Sequence, residues 1–332
     1  MAFYSVRKKE VEGHLTYHLL DPSRKMDFGL VPDIGNFGYE FKVNGKDALI
    51  PAPSFQTYLE AHRTSCGNPF LAPWANRIDR DYYYFQGKKY LLNEELGNLR
   101  RDQFKQAIHG LLCFESRWRV VKKGTSPQTG AFVTSRLEFH KYPDLAAQFP
   151  FAATYEVTHL MKDGQLEVTT EVANTGRSAL PLMMAYHPYF RPDGPRDEWT
   201  LSLHARTHWL LNAKLVATGE TEPARKFLPN ARKFVLGKTF LDDEFSGLER
   251  DARGLARISI QGRTQKVEVV YGPEFDVAVV YAPLDKELIC IEPQTGPTNC
   301  FNLHHDGKYP GLMVLDPGKT FKASFWIVPT GF

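Results

Sequence analysis

The chain has 332 residues, of which 42% are hydrophobic and 24% are charged. This is an ordinary globular balance, and the length allows a large core without disulfide or metal support. The formal net charge is only +3 and the basic residues form no long run, which argues against a nucleic-acid-binding protein.

Alternating apolar and polar residues indicate β-strands along most of the chain, because successive side chains of a strand point to opposite faces. In chain order these runs are residues 132–139, 154–160, 166–172, 199–205, 257–260, 266–271 and 320–328. Two more continuously apolar runs, 277–281 and 288–291, are typical of strands that are buried on both faces.

Turn signals separate these runs and predict hairpins at Asn44-Gly45, Gln86-Gly87 and Lys162-Asp163-Gly164. Helical signal is weak: residues 94–107 are a candidate short helix, although Gly97 disfavours it. Many short strands without helices between them predict an all-β fold. We expect a large antiparallel β-sandwich with few short helices, in which residues 1–332 form a single domain.

The four cysteines, Cys66, Cys113, Cys290 and Cys300, form no CxxC pair, which argues against a zinc ribbon or a redox motif. In a chain of this length they indicate reduced thiols. The first ten residues contain no apolar signal core, and no apolar run is long enough to cross a bilayer. We therefore expect a cytoplasmic protein without a membrane partner.

Several catalytic motifs are missing, including GxGxxG after a strand, HExxH and GxSxG. Gly318-Lys319-Thr320 is interpreted as a turn, because Met313 stands where a phosphate-binding loop needs its first glycine. His304-His305-Asp306 is a possible metal cluster, but adjacent side chains diverge on an extended chain, so a surface loop is favoured. We expect no metal and no cofactor.

Ionisable residues are concentrated in four segments that are rich in aromatic, apolar and proline residues: 68–78, 108–111, 185–190 and 291–299. His187 is either a core histidine satisfied by one carbonyl or a proton donor in a partly dry cleft. Glu292 follows a buried strand and precedes Pro293, which is expected to end that strand. It is either half of a structural salt bridge or a general base.

Two further residues leave the same choice open. Arg77 lies among Trp74, Ala75 and Ile78, where its guanidinium needs acceptors from a carboxylate or from a hydroxylated ligand. His109 is equally open. The acidic segment 240–245, judged alone, is typical of a solvated loop.

Together these segments resemble the galactose mutarotase-like superfamily, the aldose 1-epimerases, in order and in approximate separation. The resemblance rests on residues 74–78, 108–110, 187–190, 241–245 and 291–294. It implies a large antiparallel β-sandwich that binds a monosaccharide in an open cleft without a cofactor. The oligomeric state is left open between a monomer and a homodimer.

The resemblance also implies roles for individual residues. Glu292 matches the catalytic base and His187 the catalytic acid. Arg77, His109 and Asp242 match residues that contact the sugar, with Asp243 as the alternative if the register is shifted by one. The remaining candidates for sugar contact are Asn76, Trp74, Tyr189 and Gln294.

One departure concerns the choice of sugar. The best-known galactose mutarotases carry Asn before the catalytic histidine, where this chain has Tyr186. A related branch acts on hexose 6-phosphates and needs a basic phosphate pocket. Arg63, Arg80 and Lys105 lie close in sequence to the site segments and are candidates for such a pocket.

The chemistry of anomer exchange suits such a pair. A pyranose opens when the proton on O1 is removed while O5 is protonated, which needs one base and one acid. We place these on opposite sides of C1, with carboxylates such as Asp242 keeping His187 charged. Three alternatives stay open: a non-catalytic sugar-binding module, a glycoside hydrolase or polysaccharide lyase domain, and a structural sandwich.

Overall fold

Antiparallel strands make up most of the computed structural model, which describes residues 4–332. The first fourteen strands are β1 (Ser5–Val11), β2 (His14–Asp21), β3 (Met26–Val31), β4 (Phe37–Val43), β5 (Lys46–Leu49), β6 (Phe70–Leu71), β7 (Arg77–Ile78), β8 (Tyr82–Phe85), β9 (Lys88–Leu91), β10 (Ala107–Ile108), β11 (Arg119–Ser126), β12 (Gly130–Glu138), β13 (Ala153–Lys162) and β14 (Gln165–Asn174).

The C-terminal half adds as many again. These strands are β15 (Leu180–Leu182), β16 (Ala185–Tyr186), β17 (Tyr189–Phe190), β18 (Thr200–Ser202), β19 (Ala205–Leu211), β20 (Ala217–Pro223), β21 (Phe234–Val235), β22 (Leu241–Leu248), β23 (Ala256–Gln261), β24 (Lys266–Tyr271), β25 (Val277–Ala282), β26 (Ile289–Gln294), β27 (Met313–Leu315) and β28 (Thr320–Thr330). The α-helices of the described chain are short: α1 (Phe55–Ala61), α2 (Pro143–Gln148), α3 (Ala224–Phe227) and α4 (Cys300–His305). The 3₁₀ turns are Glu94–Leu96, Phe139–Lys141, Arg196–Glu198 and Ala231–Lys233.

Three large sheets organise these strands. The nine-stranded sheet has the order β11-β12-β13-β14-β28-β24-β23-β18-β21. The eight-stranded sheet has the order β20-β19-β22-β25-β26-β16-β6, with β17 also paired to β26. A five-stranded sheet follows the chain from β1 to β5.

The two largest sheets share one apolar core. Tyr186 of the eight-stranded sheet packs on Phe325 of the nine-stranded sheet, with ring centroids 4.7 Å apart. Its hydroxyl hydrogen-bonds Thr170 Oγ1 at 2.6 Å. The same continuous cluster of buried side chains runs from Tyr17 to Ile327. The predicted β-sandwich architecture is confirmed.

The predicted hairpins and most predicted strands are confirmed. One predicted strand and the candidate helix differ from the structure. Residues 199–205 form two strands rather than one, because the chain leaves the nine-stranded sheet after Ser202 and enters the eight-stranded sheet at Ala205. The candidate helix at 94–107 is wrong beyond a single 3₁₀ turn. Gly97, with φ of 74°, ends that turn by donating its N–H to the Glu94 carbonyl.

The strand that carries Glu292 extends further than the sequence predicts. β26 continues through Pro293, which pairs with Ala278 of β25. On its other side the partner chain is interrupted between β16 and β17. A residue without an N–H is tolerated there because this part of the ladder has no partner.

The remaining expectations concern the cysteines, the segment His304-His305-Asp306, the N-terminal segment and membrane spans. The four cysteines are free and buried. His304 and His305 lie in α4 rather than in a loop, and Asp306 follows that helix. The N-terminal segment without a signal core lies partly outside the described residues, which begin at residue 4. None of the helices within 4–332 has the length and apolar character of a membrane span.

Candidate active site

A pocket of about 250 Å³ opens on one face of the eight-stranded sheet. Its wall combines sheet residues with residues from the connections around it. The lining residues are Arg63, Thr64, Asn76, Arg77, Arg100, Arg101, Asp102, Gln103, Ile108, His109, His187, Tyr189, Asp242, Tyr281, Lys286 and Glu292. The pocket therefore brings together residues from all four polar segments of the sequence.

His187 faces Glu292 because of the register of the sheet. Ala185 pairs with Gln294, and Tyr189 pairs with Cys290. His187 lies midway between Ala185 and Tyr189, and Glu292 lies midway between Cys290 and Gln294, so the two residues are opposite each other. Directly opposite side chains in an antiparallel pair lie on the same face. The pairs on either side thus place the imidazole beside the carboxyl group, although residues 187 and 292 are not themselves paired.

The two side chains are in direct contact. His187 Nε2 lies 3.2 Å from Glu292 Oε1, and both side chains are almost fully buried. Gln294 Nε2 donates to Glu292 Oε2 at 3.3 Å. The Tyr189 ring stacks on the imidazole with centroids 4.6 Å apart. Acid and base therefore stand side by side on one wall, rather than on opposite sides of the pocket as we expected.

Burial shifts both groups toward their neutral forms. It raises the pKa of Glu292 well above its ordinary value, with a smaller contribution from Asp242. It lowers the pKa of His187 to about 3, and the charges of Arg100 and Arg77 act in the same direction. The expectation that carboxylates keep His187 charged is wrong in direction, since burial dominates. A contacting pair of this kind titrates as a unit and holds one proton over a wide pH range.

His109 lies in the same pocket, with its ring 5.3 Å from that of His187 in a T-shaped arrangement. His109 and Asn76 both have positive φ, 63° and 52°, and the His109 N–H donates to the Asn76 carbonyl at 2.9 Å. Gly110 follows with φ of 64°, and a Cβ there would lie 2.2 Å from the Ala72 carbonyl oxygen. Only glycine allows this close approach, which fixes the loop that presents His109.

Arg77 is held by acceptors on three sides. Its Nε donates to Asp102 Oδ2 at 2.7 Å, one terminal nitrogen donates to Asn76 Oδ1 at 3.0 Å, and the other lies 3.4 Å from Asp242 Oδ2. Its backbone N–H donates to Thr298 Oγ1 at 3.0 Å. A guanidinium oriented in this way is rigid, and it joins the first and last polar segments of the chain.

The structure distinguishes the two neighbouring aspartates. Asp242 lines the pocket, and burial raises its pKa although Arg77 opposes the shift. Asp243 points the other way, where its Oδ1 lies 3.0 Å from His208 Nε2. Consecutive side chains of β22 alternate between the faces of the sheet, so only one of the two can face the pocket.

The other sequence candidates divide into two groups. Asn76 and Tyr189 line the pocket. Trp74 is 1% exposed and belongs to the apolar core, so it is not placed to stack on a ligand. Gln294 is fully buried and reaches the site only through Glu292.

Some pocket residues were missed by sequence reasoning. Arg100, Tyr281 and Lys286 line the pocket, but their local sequence carries no motif. Among the three basic residues considered for a phosphate pocket, only Arg63 lines it. Arg80 instead pairs with Asp306 at 3.0 Å, and Lys105 is exposed outside the lining. The one available sequence signal for these residues was the adjacent basic pair Arg100-Arg101, shortly before the 108–111 segment.

The fold places the chain among mutarotase-like β-sandwiches. It is similar to a galactose mutarotase-like protein from Clostridium acetobutylicum, with a TM-score of 0.85, 20% identity and coverage of 99% of both chains. It is also similar to galactose 1-epimerase from Lactobacillus acidophilus, with a TM-score of 0.77, 13% identity and full coverage of both chains. At these identities the likeness shows the fold alone.

The sequence profile of the aldose 1-epimerase family matches residues 37–327. The chain therefore belongs to the aldose 1-epimerase family. It is also 24% identical over 261 residues to the uncharacterised protein YihR of Escherichia coli K12, a match that covers 77% of this chain and 76% of that protein.

Proposed function

We propose that this protein is an aldose 1-epimerase that interconverts the α and β anomers of a free aldohexose, with Glu292 and His187 as the acid–base pair. The observation that carries the proposal is the 3.2 Å contact between His187 Nε2 and Glu292 Oε1 on the wall of a small polar pocket. Family membership supports a carbohydrate epimerase.

The side-by-side arrangement suits the reaction. O1 and O5 of a pyranose are both bonded to C1, so a base for O1 and an acid for O5 must themselves be close together. The step starts from the form of the pair in which the shared proton has moved from Glu292 to His187. Glu292 then takes the proton from O1 while His187 delivers one to O5. The C1–O5 bond breaks as C1=O1 forms, and the pair again holds one proton.

Reclosure reverses these steps on the other face of the carbonyl. After rotation about C1–C2, the O5 hydroxyl attacks C1, its proton returns to His187, and Glu292 reprotonates O1. The net charge of the pair is unchanged over the cycle. Arg77, Asn76, His109 and Asp242 line the pocket with donors and acceptors that suit sugar hydroxyls. Holding C1 against the pair adds the benefit of positioning.

The proposal is tested by measuring anomer exchange of glucose and galactose by polarimetry and by two-dimensional exchange NMR. We expect acceleration that saturates with sugar concentration. Saturable binding without acceleration would indicate a sugar-binding module instead. Release of shorter products from an oligosaccharide would indicate a hydrolase, which needs two carboxylates at the glycosidic bond.

A further inference from the structure

Glu244 of β22 is a buried carboxyl group that the proposed reaction does not use. It is 1% exposed and is not among the residues that line the pocket. Glu244 pairs with Val279, and Val279 pairs with Glu292, so the three side chains share one face of the sheet. Two strand spacings, about 10 Å, separate the backbones of the two glutamates. The sheet therefore directs the Glu244 side chain to the same side as the acid–base pair.

The two carboxyl oxygens of Glu244 have different surroundings. Oε1 accepts the Thr298 N–H at 2.7 Å. Within residues 4–332, no hydrogen-bond partner reaches the buried Oε2. An ionised carboxylate only accepts hydrogen bonds, and burying it without donors is costly, whereas a protonated carboxyl group has an O–H that donates. The asymmetry favours the neutral acid, with its proton on Oε2.

The electrostatic surroundings of Glu244 act in the same direction. Burial raises the pKa of Glu244 to about 8, and the charge of Asp242 adds to the shift while Arg77 opposes it. Arg77 is already shared between Asp102 and Asp242. Burial also raises the pKa of the other titratable side chains nearby, which are Glu292, Cys300 and Tyr309. Near neutral pH, Glu244 therefore adds no charge to the site.

A small cavity of about 10 Å³ lies against Glu244. This is about the volume that one water molecule needs, and such a water requires roughly two to four polar partners. Polar residues that line the cavity besides Glu244 are Asn76, Arg77, Asp242 and Thr298. Three of these also line the pocket above. The cavity therefore suits one water that bridges Glu244 to the polar wall of the pocket.

Thr298 connects Glu244 to Arg77 by a second route. Its Oγ1 accepts the Arg77 N–H at 3.0 Å and donates to the Arg77 carbonyl oxygen at 3.2 Å. The next residue, Asn299, donates its N–H to the same carbonyl oxygen at 3.0 Å. Glu244 thus holds the 298–299 segment, and that segment holds the backbone of Arg77. A change at Glu244 is expected to reach the guanidinium without any contact between Glu244 and a ligand.

We propose that Glu244 is a positioning residue for the site and that it works as a neutral carboxylic acid. Its carbonyl oxygen holds the Thr298 N–H, and its O–H donates to a water molecule in the small cavity, which in turn contacts Asp242 and Arg77. These two side chains are thereby held where the sugar binds. The proposal rests on the epimerase function proposed above, and adds to it a group that exchanges no proton with the sugar.

The first test replaces Glu244 by glutamine and by leucine. Glutamine keeps a carbonyl oxygen and a donor, as the protonated acid does, whereas leucine keeps neither. We expect Glu244→Gln to retain kcat/KM for glucose within about threefold and Glu244→Leu to lose about tenfold. The loss should be mainly in KM, because Arg77 and Asp242 bind the sugar rather than transfer protons. Glu220→Gln, at an exposed position, is the matched control.

Two results of this test would overturn the proposal. Equal losses in Glu244→Gln and Glu244→Leu would show that an ionised carboxylate is required. An unchanged kcat/KM in both variants, with only thermal stability altered, would show a purely structural role. If Glu244→Leu does not fold, KM at different pH values decides. We expect KM for glucose to rise above about pH 8 in the wild type but not in Glu244→Gln, and the same rise in both would overturn the proposal.

The second test uses the pH dependence of stability and needs no sugar. Below about pH 4.5, Glu244 is protonated in both the folded and the unfolded chain. Between that pH and about pH 8 the unfolded chain releases a proton that the folded protein keeps, so the wild type loses stability as pH rises. Glu244→Gln has no proton to release. Its Tm relative to the wild type should therefore rise from about pH 5 to about pH 8 and then level off.

The control Glu220→Gln should show a Tm difference from the wild type that does not rise over this range. A difference for Glu244→Gln that is also independent of pH would mean that Glu244 is ionised in the folded protein, and would overturn the proposal. If no sugar shows accelerated exchange, the epimerase proposal fails. Calorimetric binding of glucose that is weakened in Glu244→Leu but retained in Glu244→Gln would then still support the positioning role.

Discussion

His187 Nε2 and Glu292 Oε1 lie 3.2 Å apart because the two residues are cross-strand neighbours in one register of the eight-stranded sheet. The imidazole lies where the ladder is interrupted between β16 and β17, so its backbone is not bound to β26 at that point. The sheet therefore sets the separation of the pair.

Glu292→Gln should abolish most of the activity. It keeps the size of the side chain but removes the group that takes the O1 proton, and each positioned proton transfer is typically worth ~10²–10⁴-fold. We expect kcat to fall by that order in exchange NMR, with an unchanged circular dichroism spectrum. Glu220→Gln, at an exposed position, is the matched control. Near-normal turnover in the Glu292 variant would exclude this residue as the base.

His187→Asn should lower kcat more than it weakens sugar binding. Asparagine can retain a hydrogen bond, but it cannot protonate O5, so we expect a kcat loss of ~10²–10⁴-fold with a modest change in Kd. The comparison uses exchange NMR for kcat and calorimetry for Kd. His140→Asn, at an exposed position, is the control. A large rise in Kd with kcat preserved would instead assign His187 to sugar binding.

The pH profile of kcat/KM for glucose should be flat through the range where a free imidazole titrates. The active pair holds one proton. At low pH a second proton must go onto His187, whose pKa burial lowers to about 3, so the acid limb lies well below the ordinary histidine range. At high pH the single proton is lost late, because burial raises the pKa of Glu292. Stopped-flow polarimetry corrected for buffer catalysis measures this profile, and a break between about pH 6 and 7 would contradict it.

Gly110→Ala should destabilise the protein more than Gly87→Ala. Both glycines have positive φ, 64° and 74°, so both variants pay the left-handed penalty of about 1–2 kcal/mol. Only at Gly110 would the new Cβ also meet backbone, 2.2 Å from the Ala72 carbonyl oxygen, whereas nothing lies within 4 Å at Gly87. Urea titrations give the two free energies of unfolding. Equal losses would show that the Ala72 contact is not limiting.

Tyr186→Phe should reduce stability but not activity. The hydroxyl hydrogen-bonds Thr170 Oγ1 in the core between the two large sheets, on the side away from the pocket. Leaving the threonine hydroxyl unpaired costs about 1–3 kcal/mol. Adding Thr170→Val removes the orphaned partner and should recover part of the loss. A change in kcat of the single variant would show that position 186 influences the pocket.

Strands and hairpins could be predicted from sequence because they depend on local alternation and turn chemistry. The alternation of residues 166–172 and the Asn44-Gly45 turn needed no information from distant parts of the chain. Sheet membership could not be predicted in this way. Residues 199–205 alternate throughout, yet the chain changes sheets at His204, a step that depends on which surfaces the finished core offers.

The site shows the same division. Glu292 and His187 stand out because polar residues in apolar, proline-rich surroundings are locally unusual. Arg100 does not, since it lines the same pocket but lies in a stretch of sequence without a recognisable motif. Trp74 shows the opposite case, because an aromatic residue beside Asn76 and Arg77 is buried in the core. Sequence shows which residue types are near each other in the chain, but not which way each one points.

Glu292 lies on β26 and His187 lies between β16 and β17 of the same sheet, whereas Arg63 and Lys286 lie on longer connections at the edge of the pocket. Connections tolerate replacement far better than the interior of a sheet. One scaffold could therefore be retargeted from one sugar to another by grafting loops, with its chemistry left intact. The sugar specificity of such an enzyme can therefore change during evolution while its catalytic pair is conserved.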